Sequence, residues 1–472
     1  MATLNQAWNI ATGALAADQA AISVVAGNIA NANTPGYTTV TVQWGTADTV
    51  TVGGRSQAGG VTIMGVTSQR DRVLSQRLDQ QTQEQSGTAA RLAALNDLQS
   101  IFVGAITATG SATSSGVADV GQQLTAFFQS FSSLAADPSN TSLRTGVLSA
   151  AQSLAATFNQ VSNSLEQQRS GLDATAAPAA TQVNALTKDI AGLNVKISSG
   201  SPTDAGTLED RRQYDIQQLS QLVGIHQITN EGNSLTITTT SGAVLVAGGQ
   251  SVELQTQSSD GVTHLSLGGI DQTAALTGNG GQIGGALEAR DSDIPAALGS
   301  IDQLAWSVGS AVNSQQASGA DANGATGAPI FGLGGGATGA AGAISVVLTD
   351  ANGVAASVSG AGAQDGSNAT AMAALASAKI AGGQTASAFY AGLVGQIGAN
   401  VSQATTAHAS QSASLTQLQS QQSALSSVDL NDQAALLQTY EQSYQAAAKV
   451  FTILNSVISS AINLGVDTAV SV

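Results

Sequence analysis

Cysteine is absent from this chain of 472 residues, which excludes disulfides, thiolate metal sites and cysteine nucleophiles together and fits any redox compartment. Charge is scarce as well. Asp, Glu, Lys and Arg make up 9% of the residues, against roughly 25% in an ordinary soluble protein, and aromatic residues only 3%. Solubility therefore rests on amides and hydroxyls. The lysines, Lys188, Lys196, Lys379 and Lys449, form no cluster, and the net charge is -16. That balance argues against nucleic acid or an anionic membrane surface as partner, since both recruit Lys and Arg to neutralise phosphate. The first basic residue is Arg55, so the positive n-region of a secretory signal peptide is missing. The C-terminal "FTILNSVISSAINL" is interrupted by Asn and Ser, and a run of about 18 apolar residues that would span a membrane is not expected. Two readings stay open: a cytosolic protein, or one exported without a cleaved signal.

The usual materials of an active site are scarce too. His226, His264 and His408 are the only histidines, and none sits in a His-Glu-x-x-His pattern. No Gly precedes a Lys, which removes the Gly-Lys-Ser/Thr phosphate loop, and no Gly-x-Ser-x-Gly elbow occurs. "GLGGGATG" lacks a strand-to-helix context and reads as a surface loop, and "DANGATG" at residue 321 lacks the later Glu of a calcium loop and reads as a turn. His264 reads as a surface residue in a hairpin. Thirty acidic residues leave a glycosidase-type carboxylate pair open, but no catalytic, cofactor-binding or metal-binding residue is assigned, and no cofactor is expected.

What the chain has in quantity is helical periodicity at its two ends. Leu4, Trp8, Ala11, Leu15, Asp18, Ile22, Val25 and Ile29 alternate spacings of four and three, a heptad seam with one polar interruption. "NIANANTPGY" (28 to 37) then stops the helix at Pro35 and Gly36. Near the C-terminus Leu437, Tyr440, Tyr444, Ala447, Phe451, Leu454, Ile458 and Ala461 repeat the pattern, with Asp429 placed to cap the helix. Each seam fits either a coiled-coil partner or an amphipathic helix on a globular core, and pairing the two ends with each other is the economical solution. Between them, residues 71–103, 117–170 and 180–224 read as helices with breaks at Pro138, Pro178 and Pro202. After Gly224 the pattern changes to hairpins turning at Ser241-Gly242 and Asp260-Gly261, then helix over 294–317, a strand pair turning at Asn352-Gly353, and helix again over 399–424.

The fold class expected is multidomain α+β, with a terminal α-helical coiled coil, a helical-bundle middle domain and a β-rich outer domain, nested and discontinuous. The boundaries are 1–55 with 425–472 for the terminal assembly domain, 56–224 with 395–424 for the helical domain, and 225–394 for the outer domain.

"NIANANTPGY" after an uncharged heptad helix resembles the N-terminal signature of flagellar axial proteins, the rod, hook and hook-associated proteins. The closing "VDLNDQAALLQTYEQSYQAAAKVFTILNSVISSAINL" resembles its C-terminal counterpart, with Tyr440, Tyr444, Ala446, Ala448 and Lys449 as core. "LEDRRQYDIQQLSQLVGI" (208 to 225), "DQLAWSVGSAVNSQQASG" (302 to 319) and "LTDANGVAASVSG" are similar to the flagellar hook-associated protein 1 family. The chain departs from the family at Gly27, where Asn is usual, and at Thr38 and Thr39, where Ser and a basic residue are. Its length implies that an outermost optional domain of the longest members is missing. The resemblance implies a structural, non-enzymatic subunit at the hook-filament junction of the bacterial flagellum, secreted by the flagellar type III apparatus. It would polymerise through its terminal helices. Leu4, Trp8, Leu15, Ile22, Val25, Ile29, Asn31, Asn33, Pro35, Gly36, Tyr37, Leu437, Tyr440, Tyr444, Phe451, Leu454 and Ile458 are the candidate assembly residues. Implied partners are copies of itself, hook protein, the second junction protein with flagellin beyond it, and a cytoplasmic export chaperone on the C-terminal helix. A rod or hook subunit, or an adhesin or enzyme displayed on a flagellar polymer, are the alternatives.

Overall fold

Ala-rich sequence with straight-chain and apolar residues at heptad spacing favours long helices, and the computed structural model is dominated by them. It describes residues 2–52, 55–57, 59–103, 119–199, 205–229 and 234–467. In chain order, α1 (Ala2–Asn31) leads into strands β1 (Val40–Thr46), β2 (Val50–Val52), β3 (Arg55–Gln57) and β4 (Val61–Ser68), then α2 (Arg72–Val103), α3 (Val120–Ala136), α4 (Thr141–Ser199) and α5 (Ala205–Leu222). Strands β5 (Ile225–Thr229), β6 (Leu235–Thr239), β7 (Val244–Ala247), β8 (Gln250–Ser251), β9 (Leu254–Ser259), β10 (Val262–Leu267) and β11 (Ile270–Asp271) follow. The remainder holds α6 (Thr273–Leu276), α7 (Gly281–Glu288), α8 (Ile294–Ala317), α9 (Ala340–Ala343), α10 (Ser367–Ala374), α11 (Ala386–Ser426) and α12 (Leu430–Asp467).

These elements form two compact units, each from separated stretches of chain: Met1–Gln83, Thr181–Leu254 and Ser412–Val472 in the first, Glu84–Ala180 and Gln255–Gln411 in the second. The first unit holds both chain ends. There α1 packs along α12 and against the antiparallel ribbon β1-β4, and β5-β6-β7-β8 form a four-stranded antiparallel sheet in that order. The second unit is built on a core of phenylalanines from α3. Phe127 lies 5.3 Å from Phe131, edge to face, and 5.6 Å from Phe331. Phe158 of α4 and Ile301, Leu304 and Val308 of α8 complete it, all fully buried.

Both predicted hairpins form. Asp260 takes φ 52° and Gly261 φ 77°, the left-handed pair a two-residue turn between β9 and β10 requires. The 294–317 helix also lies where predicted. Three expectations are corrected. Pro178 does not break the chain but lies inside the 59-residue α4, where its flanking Ala176 and Ala180 are buried. An interior proline costs about 3 kcal/mol, and burial of that face on either side offsets it. Asn352-Gly353 turns no hairpin. Ser345–Val346 pair with Phe331–Gly332 and Ser357–Val358 with Gly319–Ala320, because buried Val354, Ala355 and Ala356 draw the connecting chain into the core. Finally, two stretches, Leu4–Asn31 and Ala386–Ile462, are long and apolar enough by length and composition to cross a membrane. Alanine supplies much of that character, and in α1 it is used for packing, with Ala11, Ala17 and Ala21 buried. Pro202 lies outside the described residues.

Candidate assembly site

Two contacts set how the chain ends meet. The Trp8 and Phe451 rings lie 4.3 Å apart, and near the other end of α1 the Asn28 amide donates to Gln433 Oε1 at 2.9 Å. Helices α1 and α12 therefore run antiparallel. On α12 the less exposed positions are Leu437, Tyr440, Phe451, Leu454 and Ile458, all half-buried, whereas Tyr444 is exposed. On α1, Leu4, Trp8, Leu15 and Ile22 are half-buried and Val25 is buried. Ile29, next to the buried Asn28, is exposed. Tyr440 also reaches the ribbon, its ring 6.3 Å from that of Trp44 on β1.

The abrupt stop of α1 is explained by one side chain. Asn28, 1% exposed, uses its whole amide. Its Nδ2 donates to Val40 O and to Gln433, both at 2.9 Å. Its Oδ1 accepts from Val40 N at 3.0 Å and from the Tyr37 hydroxyl at 2.8 Å. An amide presents two donors and an acceptor with two lone pairs, so all four places are filled. To bring Val40 back to Asn28 the chain must reverse within a few residues. Asn31 ties the helix end by donating to Gly27 O, and Gly36 takes φ 77° with its α-carbon pressed on Tyr214, where a β-carbon would lie 2.8 Å from the Tyr214 Cβ. Asn33 and Pro35 form the exposed tip of the turn.

The next two residues fasten that turn to the rest of the unit. Thr39 N–H donates to Ser426 O at 2.9 Å and the Thr39 hydroxyl to Ser427 O at 2.9 Å, which fixes the corner between α11 and α12. Asp429 caps α12 by accepting from Asn431 N at 2.8 Å. Thr38 donates from both its N–H and its hydroxyl to Asp210 Oδ2 on α5, while Ser68 and Arg70 donate to Asp210 Oδ1. Arg70 also pairs with Glu209 at 2.7 Å. Burial pushes the Asp210 carboxyl up despite these donors, and burial, then the charge of Asp210, raises the Tyr37 phenol. Further along, Asp79 of α2 accepts from Gln213 and Gln227, both at 2.7 Å, and burial pushes it up to about 7.

The structure thus divides the sequence-predicted residues. The two seams are brought together, Asn31, Gly36 and Tyr37 work inside the fold, and Asn33, Pro35, Ile29 and Tyr444 face outward. Sequence reasoning missed Asn28, Thr38, Thr39, Gln433 and Asp210. For Asn28 a signal existed: it continues the buried small-residue stripe of Ala17 and Ala21 at helical spacing. Asp210, distant in sequence, gave none. Among the described residues no group of three or more His, Asp or Glu could hold a metal ion. The arrangement offers packing surfaces and hydrogen-bonded anchors.

Known proteins resemble this chain. Residues 108–331 match the family described as flagellar hook-associated protein FlgK helical domain, and residues 9–38 match flagella basal body rod protein. Flagellar hook-associated protein 1 of Escherichia coli is 26% identical over 69% of this chain, and the chain spans 60% of that relative's length. Its counterpart in Bacillus subtilis is 28% identical over 95% of this chain and 96% of its own length. The fold is similar to the flagellar hook junction protein FlgK of Burkholderia pseudomallei, with a TM-score of 0.65 and 18% identity over 74% of this chain and all of that one. A matching helical domain, a matching N-terminal rod segment and a relative aligned over 96% of its own length make this chain similar to flagellar hook-associated protein 1.

Proposed function

We propose that this chain is a structural subunit of the bacterial flagellum that forms the junction between hook and filament by polymerising through its N- and C-terminal helices. The observation that carries this is the antiparallel α1–α12 pair, anchored by Asn28 and Gln433 yet leaving its seam residues half-exposed. A seam only partly covered within one chain gains most of its burial when copies stack. The seventeen predicted residues take two roles: Leu4, Trp8, Leu15, Ile22, Val25 and Ile29 with Leu437, Tyr440, Tyr444, Phe451, Leu454 and Ile458 form the packing surface, and Asn31, Asn33, Pro35, Gly36 and Tyr37 set the turn. The three-part division, with 1–55 and 425–472 as assembly domain, 56–224 with 395–424 as helical domain and 225–394 as outer domain, is part of this reading. So are the hook protein, the second junction protein with flagellin, and an export chaperone on α12 as partners. Export through the flagellum's own apparatus delivers the chain outside the cell.

Electron microscopy of flagella from a strain lacking this protein, with flagellin assayed in the medium, tests the role. Complete hooks without filaments and shed flagellin are expected. Missing or unfinished hooks would make it a rod or hook subunit instead, and normal filaments would overturn the reading.

A further inference from the structure

Basic residues are scarce in this chain, 14 against 30 acidic ones, yet three arginines meet at one cleft inside the first unit. Arg70 lies just before α2, and Arg72 opens it. Glu209, Arg212 and Gln213 follow at spacings of three and one, which puts them on one face of α5, and Gln227 of β5 closes the side. The space between these side chains is about 30 Å³, room for a single small ion or a water or two.

Charge indicates the occupant. Arg70 directs its two terminal nitrogens to Glu209 at 2.7 Å and to Asp210 at 3.2 Å. Arg212, only 3% exposed, donates to the neutral Asn194 Oδ1 at 2.7 Å. Two carboxylates therefore face three guanidinium groups. Asp79, reached through Gln213 and Gln227, does not redress the balance in mildly acid solution, because burial keeps its proton on up to about 7. The Arg212 guanidinium reports the same imbalance: burial pushes it down to about 10, Glu209 opposes the shift, and the charges of Arg70 and Arg72 add to it. A cation withdrawn from water needs a counter-charge, and a water molecule would accept hydrogen bonds there without supplying one. We infer that the cleft binds one small monovalent inorganic anion of the chloride type, held by Arg70, Arg72 and Arg212. An anion here fastens the start of α2 to α5 beside Asp210, the group that anchors Thr38 at the foot of the N-terminal turn. The site stands independently of the assembly role.

Chloride itself is the probe, titrated into the purified full chain at about pH 6, below the Asp79 pKa, with sodium gluconate holding the ionic strength constant. The NMR line of chloride should broaden in the presence of the protein and sharpen again when nitrate competes, and the melting temperature should rise with chloride along the same saturation curve. Arg72 is exposed, so Arg72→Gln leaves the buried pairs of Arg70 and Arg212 intact while removing one charged donor. It should weaken the apparent chloride affinity by about tenfold or more, and Arg72→Lys, which keeps the charge, should recover part of it. Arg77→Gln removes an exposed charge from the same helix outside the cleft and should leave chloride binding unchanged. Circular dichroism of each variant matching the parent shows that the chain still folds. No broadening by the parent chain, or broadening that Arg72→Gln leaves as it was, would overturn the proposal, as would equal losses in Arg72→Gln and Arg77→Gln, which would reduce the effect to general surface charge.

Discussion

Asn28 and Asp79 show how much one buried polar side chain governs in a chain so poor in charge. Replacing Asn28 by Leu strands the Val40 N–H and C=O, the Tyr37 hydroxyl and the Gln433 amide. Each orphaned buried group costs about 1–3 kcal/mol, and with partial relaxation we expect a loss of about 2–4 kcal/mol in urea unfolding of the first unit. Asn28→Asp fails too, because it turns a donor into an acceptor facing Val40 O and Gln433 Oε1. A loss below about 0.5 kcal/mol for either variant would show the four bonds to be dispensable. Asp79 makes a pH-dependent prediction. Its folded pKa of about 7 lies above the value of a solvated carboxyl, so the folded state holds the proton more tightly. The stability this contributes is full below the unfolded pKa of about 4 and is lost as pH rises through about 7. Asp79→Asn keeps an acceptor for Gln213 and Gln227 without the buried charge. It should slow hydrogen exchange in α5 and β5 above pH 7 and remove their pH dependence between about 4 and 7. An unchanged pH profile in the variant would exclude Asp79 as its source. The sequence marked the face on which Asn28 lies but not its partners, and Asp79 on a polar helix gave no signal; both acquire their roles only from Val40, Gln433, Gln213 and Gln227, which the fold delivers.

Elements were more legible than residues wherever one local signal set them. Left-handed glycines made the β6–β7 and β9–β10 turns readable, and heptad spacing made α1 and α12 so. The signals failed where packing opposed them. Helix α7 hides in a glycine-rich run because Gly285 must touch Gly87, where a β-carbon would lie 2.0 Å from the Gly87 carbonyl oxygen. Pro178 survives in α4, and Pro178→Ala should restore a backbone donor and raise the melting temperature unless the proline sets a bend the packing needs. A lowered melting temperature would establish that bend. For the terminal pair, full burial of a Phe is worth about 3–5 kcal/mol, so Phe451→Ala, half-buried against Trp8, should cost about 2 kcal/mol. Hydrogen exchange across residues 4–29 and 437–461 should be fast in the isolated chain, faster in this variant, and slow in assembled flagella. Strong protection of both helices in the monomer would mean the seam is complete without neighbours.

At the scale of the whole molecule, the distribution of charge decides how copies associate in the proposed assembly. The terminal helices have five charged residues between them, while the chain as a whole carries -16. In the proposed assembly, contacts through the termini are therefore apolar, and the remaining acidic surfaces repel. Raising salt screens that repulsion and leaves the apolar contact intact, since the Debye length falls from about 10 Å at 0.1 M to about 3 Å at 1 M. Junctions in isolated flagella should accordingly persist or strengthen as sodium chloride rises over that range, and sulfate, which favours apolar burial, should strengthen them further. Cooling should act the other way, because apolar association weakens at low temperature. The measurement is the amount of this protein released from sheared flagella into the supernatant across a salt and temperature series. Release that grows with sodium chloride would require ion pairs between copies. Those would have to come from the body of the chain, because Lys449 is the only basic residue the terminal pair can offer.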